Sequence, residues 1–405
     1  MCYVYHLYSK SPDSGNERLK EQNRLFSDNQ NVPCSSFSRR RPEKLIPFQE
    51  RINFWSQLPE MTEKTQPSNG NSRMLWPDLL RIAAMTGIIG YHVLELFPRL
   101  RTNVFSGVFT EFCTMVFVFL AGYFSSVQKD RTIRQYYMSR FVSIVLPYLW
   151  ISLVLLAGKC VKDGVPSNVC LWIGKNLLLG GAAPVLWFVP MISVFFLFAP
   201  FWNRIPRTIR LILLGVGFLG TILVGRGKYS ELGKNSLYFA FYFAAGMECR
   251  ISRKTFESFA AKSVPISCVV LILSLTLLPF CHRYCCVTFA KTMVSLVMIG
   301  GTIRLASPED GRRSSAVLSF FDRKGVKETV AKISGCCYTV YLIHNTWIGV
   351  VLSPVFRRIP DQFKHLPLFL IMTILSMIVL VVAVLATKRI LQFAGIKRTR
   401  PILGA

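Results

Sequence analysis

Residues 76–97 read WPDLLRIAAMTGIIGYHVLELF, and the interpretation of this stretch decides the fold. It is long enough to cross a bilayer, which takes about 20 mostly apolar residues. Yet it carries four ionisable groups, Asp78, Arg81, His92 and Glu95. An Arg or Asp at the centre of a span costs roughly 2.5–3.5 kcal/mol on insertion scales, so such groups tend to be functional. Arg81 and His92 stand eleven residues apart, about three helical turns and ~16 Å of rise, which puts them on nearly the same face. Glu95 falls one turn beyond His92, and Asp78 one turn before Arg81. One helix therefore presents a cation near one membrane surface and an imidazole much deeper, in line. That suits a ligand with an anionic head and a long reactive arm. Quieter readings compete with this one. Asp78 and Glu95 lie near enough to the ends to reach the interface, Arg81 can snorkel, and a membrane histidine can be no more than a packed, hydrogen-bonded residue.

Outward from this helix the chain stays apolar. It is 52% hydrophobic, with several runs longer than a single span needs, which makes it an all-α polytopic membrane protein. The formal charge of +27 invites a nucleic-acid reading. The cations fall in short loops between apolar segments, which is how topology is written, and no nucleic-acid partner is expected. No basic segment followed by a short apolar run and a small-residue cleavage site opens the chain, so a cleaved signal peptide is not expected.

Three domains follow. Residues 1–73 are polar, with apolar side chains too scattered for a core, and read as a disordered cytoplasmic tail. Residues 74–390 form the membrane domain, and 391–405 a basic cytoplasmic C-terminal tail. Ten spans are expected, at 75–97, 104–127, 138–158, 184–203, 208–225, 233–250, 264–281, 285–305, 334–356 and 366–388. Pro147 is expected to break the third and Pro190 the fourth. With the N-terminus inside, the inner segments hold 34 Lys and Arg and the outer loops 12, so both termini are placed in the cytoplasm of a multi-pass protein of the cell (inner/plasma) membrane. Arg81 then lies near the inner surface and His92 beyond the midplane.

Most of the twelve cysteines sit inside apolar spans, where they act as small hydrophobes. Cys160 and Cys170 share one outer loop, and Cys281, Cys285 and Cys286 another, so either could hold a disulfide. The run CHRYCC does not make a standard tetrahedral ligand set, and no metal is expected.

Several segments, in order, resemble the acyltransferase 3 family of integral membrane acyltransferases. DLLRIAAMTGIIGYH, 78–92, is similar to that family's first helix, an Arg, ten residues, then a His. FCTMVFVFLAGYF, 112–124, resembles the second-helix motif, with Ala121 where the family usually has Ser. RTIRQYYMSRFVSIVLPYLW, 131–150, is similar to its arginine-rich loop leading to a proline and aromatics, with Ser143 at a place that is often basic. LWFVPMISVFFLFAPFW, 186–202, SLYFAFYFAAGMECRI, 236–251, and CCYTVYLIHNTW, 336–347, resemble later helices. Each motif alone is weak; six in sequence order are strong.

The resemblance implies transfer of an acyl group, commonly acetyl, from coenzyme A to a hydroxyl of an envelope glycan. The expected co-substrate is acyl-CoA (acetyl-CoA), and the expected acceptor a carbohydrate or lipid-linked glycan. Arg81, with Arg131, Arg134 and Arg140 of the next inner loop, could hold the phosphates by charge-assisted hydrogen bonds, or those arginines could signal topology alone. The pantetheine arm would run along the first helix to His92, whose neutral imidazole could take the acceptor's proton. Glu95 could fix its tautomer, or remain a solvated acid at the outer interface. His344, with Tyr341 and Asn345, could position the acceptor or donate to the oxyanion, or be polar glue between helices. Trp187 could line the acyl channel or simply pack. A transporter or flippase for a glycan or lipid-linked sugar stays open as a second function. Against it, the chain shows no clear internal repeat of the kind many transporters carry.

Overall fold

The structure, a computed structural model, describes residues 74–101, 104–125, 132–228, 230–280, 284–306, 320, 323–396 and 399–404. Every described residue falls in the unit Glu60–Ala405. The expected N-terminal tail, 1–73, lies outside the described residues.

Eleven principal helices are found among the described residues, and no strand. They are α1 (Trp76–Leu94), α2 (Val104–Tyr123), α3 (Ile133–Asp163), α4 (Val169–Leu179), α5 (Phe188–Trp202), α6 (Arg207–Val224), α7 (Leu232–Ile251), α8 (Arg253–Leu277), α9 (Tyr284–Ala306), α10 (Lys324–Trp347, continuing to Arg357) and α11 (Leu366–Phe393). Six of them, α3, α6, α8, α9, α10 and α11, are long and apolar enough to cross a membrane by length and composition. Their outer faces are apolar in a way no water-soluble surface would be. Leu211, Ile212, Val216 and Leu219 stand exposed along α6, and Ile266, Val269, Ile272 and Leu273 along α8. A helix satisfies its backbone internally, so a bundle of this kind can turn such side chains toward lipid.

The interior belongs to α1. It packs on α2, α9, α10 and α11, with Leu80, Met85, Ile89 and Val93 completely buried. Beside it α2 and α7 meet backbone to backbone. A Cβ added at Gly122 would stand 2.0 Å from the Phe243 carbonyl oxygen, and one at Gly246 2.0 Å from that of Phe119. Small residues let helices in a membrane approach this closely, where van der Waals packing rather than hydrophobicity drives association.

The prolines act differently from expectation. Pro190 breaks nothing: α5 begins at Phe188, so Pro190 sits in its first turn, where the missing N–H would have no intrahelical partner. Pro147 does not divide α3 either. A π segment, Phe141–Val145, widens the helix just before it, and the Tyr338 hydroxyl donates to the Ile144 carbonyl oxygen at 2.6 Å. α10 repeats the device, with a π segment at Ile348–Leu352 ahead of Pro354. Two further departures lie at the ends of loops. The outer loop expected after the third span contains α4, whose 11 residues are too few to cross a bilayer. Near the C-terminus, Arg400–Leu403 forms a helical turn seated against α3 and α10, with the Thr339 hydroxyl donating to the Leu403 carbonyl oxygen.

Candidate active site

α1 carries polar groups at both ends, and each end is completed by other helices. At its start, Asp78 is buried and accepts a hydrogen bond from the Ser334 hydroxyl of α10 at 2.6 Å. Arg81 donates to the same Ser334 oxygen at 3.0 Å and lies 3.8 Å from the Asp78 carboxylate. Its guanidinium also stacks on the Phe124 ring, 5.0 Å from the centroid. Ser334 therefore joins an acid and a base that would otherwise be costly inside a membrane. Arg81 keeps 26% of its side chain exposed.

The arginines expected beside it fare unequally. Arg140 donates to the Phe124 carbonyl oxygen and stacks on Tyr136 and Phe196, at 5.4 and 5.1 Å. Arg81 and Arg140 thus converge on one residue, Phe124, just past the C-terminus of α2, where helix carbonyls favour cations. Arg134 is exposed in the first turn of α3. Arg131 lies outside the described residues.

His92, near the other end of α1, lines a small, partly open cleft. Trp187, Phe188, Tyr341 and Arg226 form other walls. Trp187 reaches this position through a tight loop. Gly180, at φ 70°, ends α4 in the left-handed region, and a Cβ there would fall 2.4 Å from the Trp187 Cα.

Two candidate partners of His92 can now be compared. Glu95 is 46% exposed, and its Oε1 lies 3.9 Å from His92 Nδ1, beyond hydrogen-bond range. His344 of α10 is fully buried, with its ring centroid 5.1 Å from that of His92. His344 Nδ1 lies 2.6 Å from the Tyr341 carbonyl oxygen. A carbonyl only accepts, so Nδ1 carries the hydrogen and Nε2 is a bare lone pair. That Nε2 is buried and has no hydrogen-bond partner among the described residues. In this tautomer a neutral His344 cannot donate through Nε2 to an oxyanion; it can only accept there.

The remaining residues expected from the sequence are less central. Tyr341 walls the cleft, but its hydroxyl donates to the Val185 carbonyl oxygen. Asn345 is half-buried and is not a wall of the cleft. Of the outer-loop cysteines, Cys160 and Cys170 are free thiols, whereas Cys286 is disulfide-bonded. Among the described residues no group of three His, Cys, Asp or Glu side chains is placed to hold a metal ion.

Two participants were not singled out by sequence reasoning. Ser334 gives no local signal, because its role depends on a partner 256 residues away. Arg226 stood out only as a loop cation, yet it lies in the cleft with its guanidinium 4.9 Å from the Trp187 ring centroid. The flanking glycines, Gly225 and Gly227, were the available hint.

A family model described as an acyltransferase domain matches residues 74–388, most of the chain. No curated protein and no solved structure matches it.

Proposed function

The chain belongs to the acyltransferase 3 family, and from that premise we propose that it moves an acyl group, acetyl being the simplest, from acyl-CoA to a hydroxyl of a cell-envelope or exported carbohydrate. The observation that carries this reading is the construction of α1, with an anchored arginine at one end and, at the other, a histidine in a cleft backed by a second, acceptor-only histidine.

Coenzyme A is anionic at one end and reactive at the other, about the separation of the two ends of α1. Arg81 and Arg140 at Phe124, with Arg134 and Arg131 nearby in sequence, hold the phosphates. The arm runs along α1 and brings the thioester into the cleft. A ring nitrogen of His92 takes the proton from the acceptor hydroxyl as its oxygen attacks the thioester carbonyl. The C–S bond then breaks, and His92 returns the proton to the departing coenzyme A thiolate, leaving an O-acyl ester and free coenzyme A. A positioned base of this kind contributes about 10²–10⁴-fold.

The base needs its second ring N–H held. His344 Nε2 supplies a buried lone pair beside it, and the two rings close into a hydrogen bond when substrate fills the cleft, since catalytic hydrogen bonds are often loose without ligand. Glu95, half in solvent at 3.9 Å, adds charge to the imidazolium rather than fixing its tautomer. Ten spans with both termini in the cytoplasm of the cell membrane complete the proposal, with phosphates entering from the inner face and acceptor from the outer.

The deciding experiment is incubation of purified protein with radiolabelled acetyl-CoA. Turnover to free coenzyme A, accelerated by a glycan acceptor and lost in His92→Ala, is expected; no turnover under any acceptor condition ends this reading.

A further inference from the structure

Arg226 is presented to the cleft by a built loop. Gly225 takes φ 74°, a left-handed conformation that side-chain-bearing residues rarely adopt. On the other side, the Gly227 amide donates to Asn235 Oδ1 at 3.1 Å, and Asn235 Nδ2 donates to the Lys228 carbonyl oxygen at 2.8 Å. Asn235 is itself buried in α7, so one side chain clamps the loop just after Arg226. The guanidinium lies over Trp187, and both residues wall the same cleft as His92. Stacking engages the face of a guanidinium. Its five N–H donors lie in the plane and match the paired oxygens of a carboxylate or phosphate.

The position of this pair separates it from the coenzyme A anchor. Arg81 sits eleven residues before His92, at the opposite end of α1. Arg226 lines the same cleft as His92, into which the proposed reaction brings the acceptor hydroxyl when its proton is removed. The cleft is also lined by Tyr91, Phe117 and Phe188, aromatic side chains of the kind that pack on the apolar face of a sugar ring.

We infer that Arg226 and Trp187 form the acceptor subsite, and that it selects a saccharide bearing an acidic group, carboxylate or phosphate, next to the hydroxyl that is acylated. This rests on the acyltransferase reading for its reaction, but not for its binding chemistry.

The test measures kcat/KM for acetyl transfer from acetyl-CoA to methyl glucoside, methyl glucuronide and glucose 1-phosphate. Charged hydrogen bonds at such a site correspond to about a tenfold to hundredfold preference. The wild-type protein should favour at least one acidic sugar over the neutral one by that factor. The arm that wins tells carboxylate from phosphate. Arg226→Gln should drive the acidic-to-neutral ratio toward one, and Arg226→Lys should leave it between, because a charge remains without the fork. Equal wild-type kcat/KM for neutral and acidic acceptors overturns the inference, as does an Arg226→Gln variant that lowers all three alike. The wild-type ratio decides even where the variant fails to fold. If no acceptor is acylated and acetyl-CoA is not turned over, the acyltransferase proposal falls. Quenching of tryptophan fluorescence by methyl glucuronide, absent with methyl glucoside and absent in Trp187→Phe, then judges the subsite alone.

Discussion

His92 and Arg81 share a helix but differ in what surrounds them, and the proposed mechanism gives them different tasks. His92 lines the cleft and is the base of the proposed mechanism, so His92→Ala should abolish acyl transfer while coenzyme A binding persists, read as lost turnover at an unchanged dissociation constant. In the proposed mechanism Arg81 holds the phosphates away from the chemistry, so Arg81→Ala should raise the acyl-CoA dissociation constant by about tenfold, a typical loss for a charge-assisted bond. Lys should rescue only in part, because it lacks the fork and cannot stack on Phe124 in the same way. His344→Gln keeps an acceptor atom and should retain more turnover than His344→Leu, with acyl-CoA affinity equal in the two. Glu95→Gln should cost less than either His344→Leu or His92→Ala, given its distance and exposure. Should Glu95→Gln prove the more damaging, the tautomer argument is wrong. Arg81 and His92 were legible in sequence because both lie on one helix at a fixed spacing. Ser334 and the tautomer of His344 were not, since each is set by atoms that only packing brings near.

Among the elements, the contact between α2 and α7 is the one least tolerant of added volume. Gly122→Ala would place a methyl group 2.0 Å from a backbone oxygen, which cannot swing away as a flexible side chain would. Overpacking of this kind costs about 1–3 kcal/mol. A fall in melting temperature in detergent is expected for Gly122→Ala and for Gly246→Ala. Gly301→Ala, with nothing within 4 Å of the new Cβ, is the control and should melt like the wild type. Helix positions were readable from apolar runs: a helix stands at each of the ten stretches, and six of those helices are long and apolar enough to cross a membrane. What was misread came from proline. Pro147 and Pro190 were taken as breaks because sequence does not show where a helix begins or whether a π turn precedes the ring. α4 was missed because the polar residues flanking its short apolar run masked it, and because 11 residues are too few for a span.

At the level of the whole molecule, charge and chemistry divide along the same axis. Arg81 and Arg140 meet at the C-terminal end of α2, and Arg250 bonds Tyr123 one residue earlier. His92, Trp187 and Arg226 gather at the other end of α1. On the proposed topology, with its bias of 34 basic residues inside against 12 outside, the first of these ends faces the cytoplasm. Acyl-CoA is made inside the cell and envelope glycans mature outside it, so the proposed reaction needs the same assignment: phosphates on the inner side, acceptor on the outer. The two arguments are independent, and one labelling experiment tests both. Cys170 is a free, exposed thiol in a stretch assigned to the outside, so it should react with a membrane-impermeant maleimide in intact cells. In a Cys170→Ser background, Asp361→Cys should restore that labelling, because Asp361 is 83% exposed in another loop assigned outside. Lys254→Cys, in the first turn of α8 and in a stretch assigned inside, should react only after the cells are opened. The reverse pattern would place the arginine cluster outside, where no acyl-CoA is available, and would remove coenzyme A as the donor while leaving the fold as described.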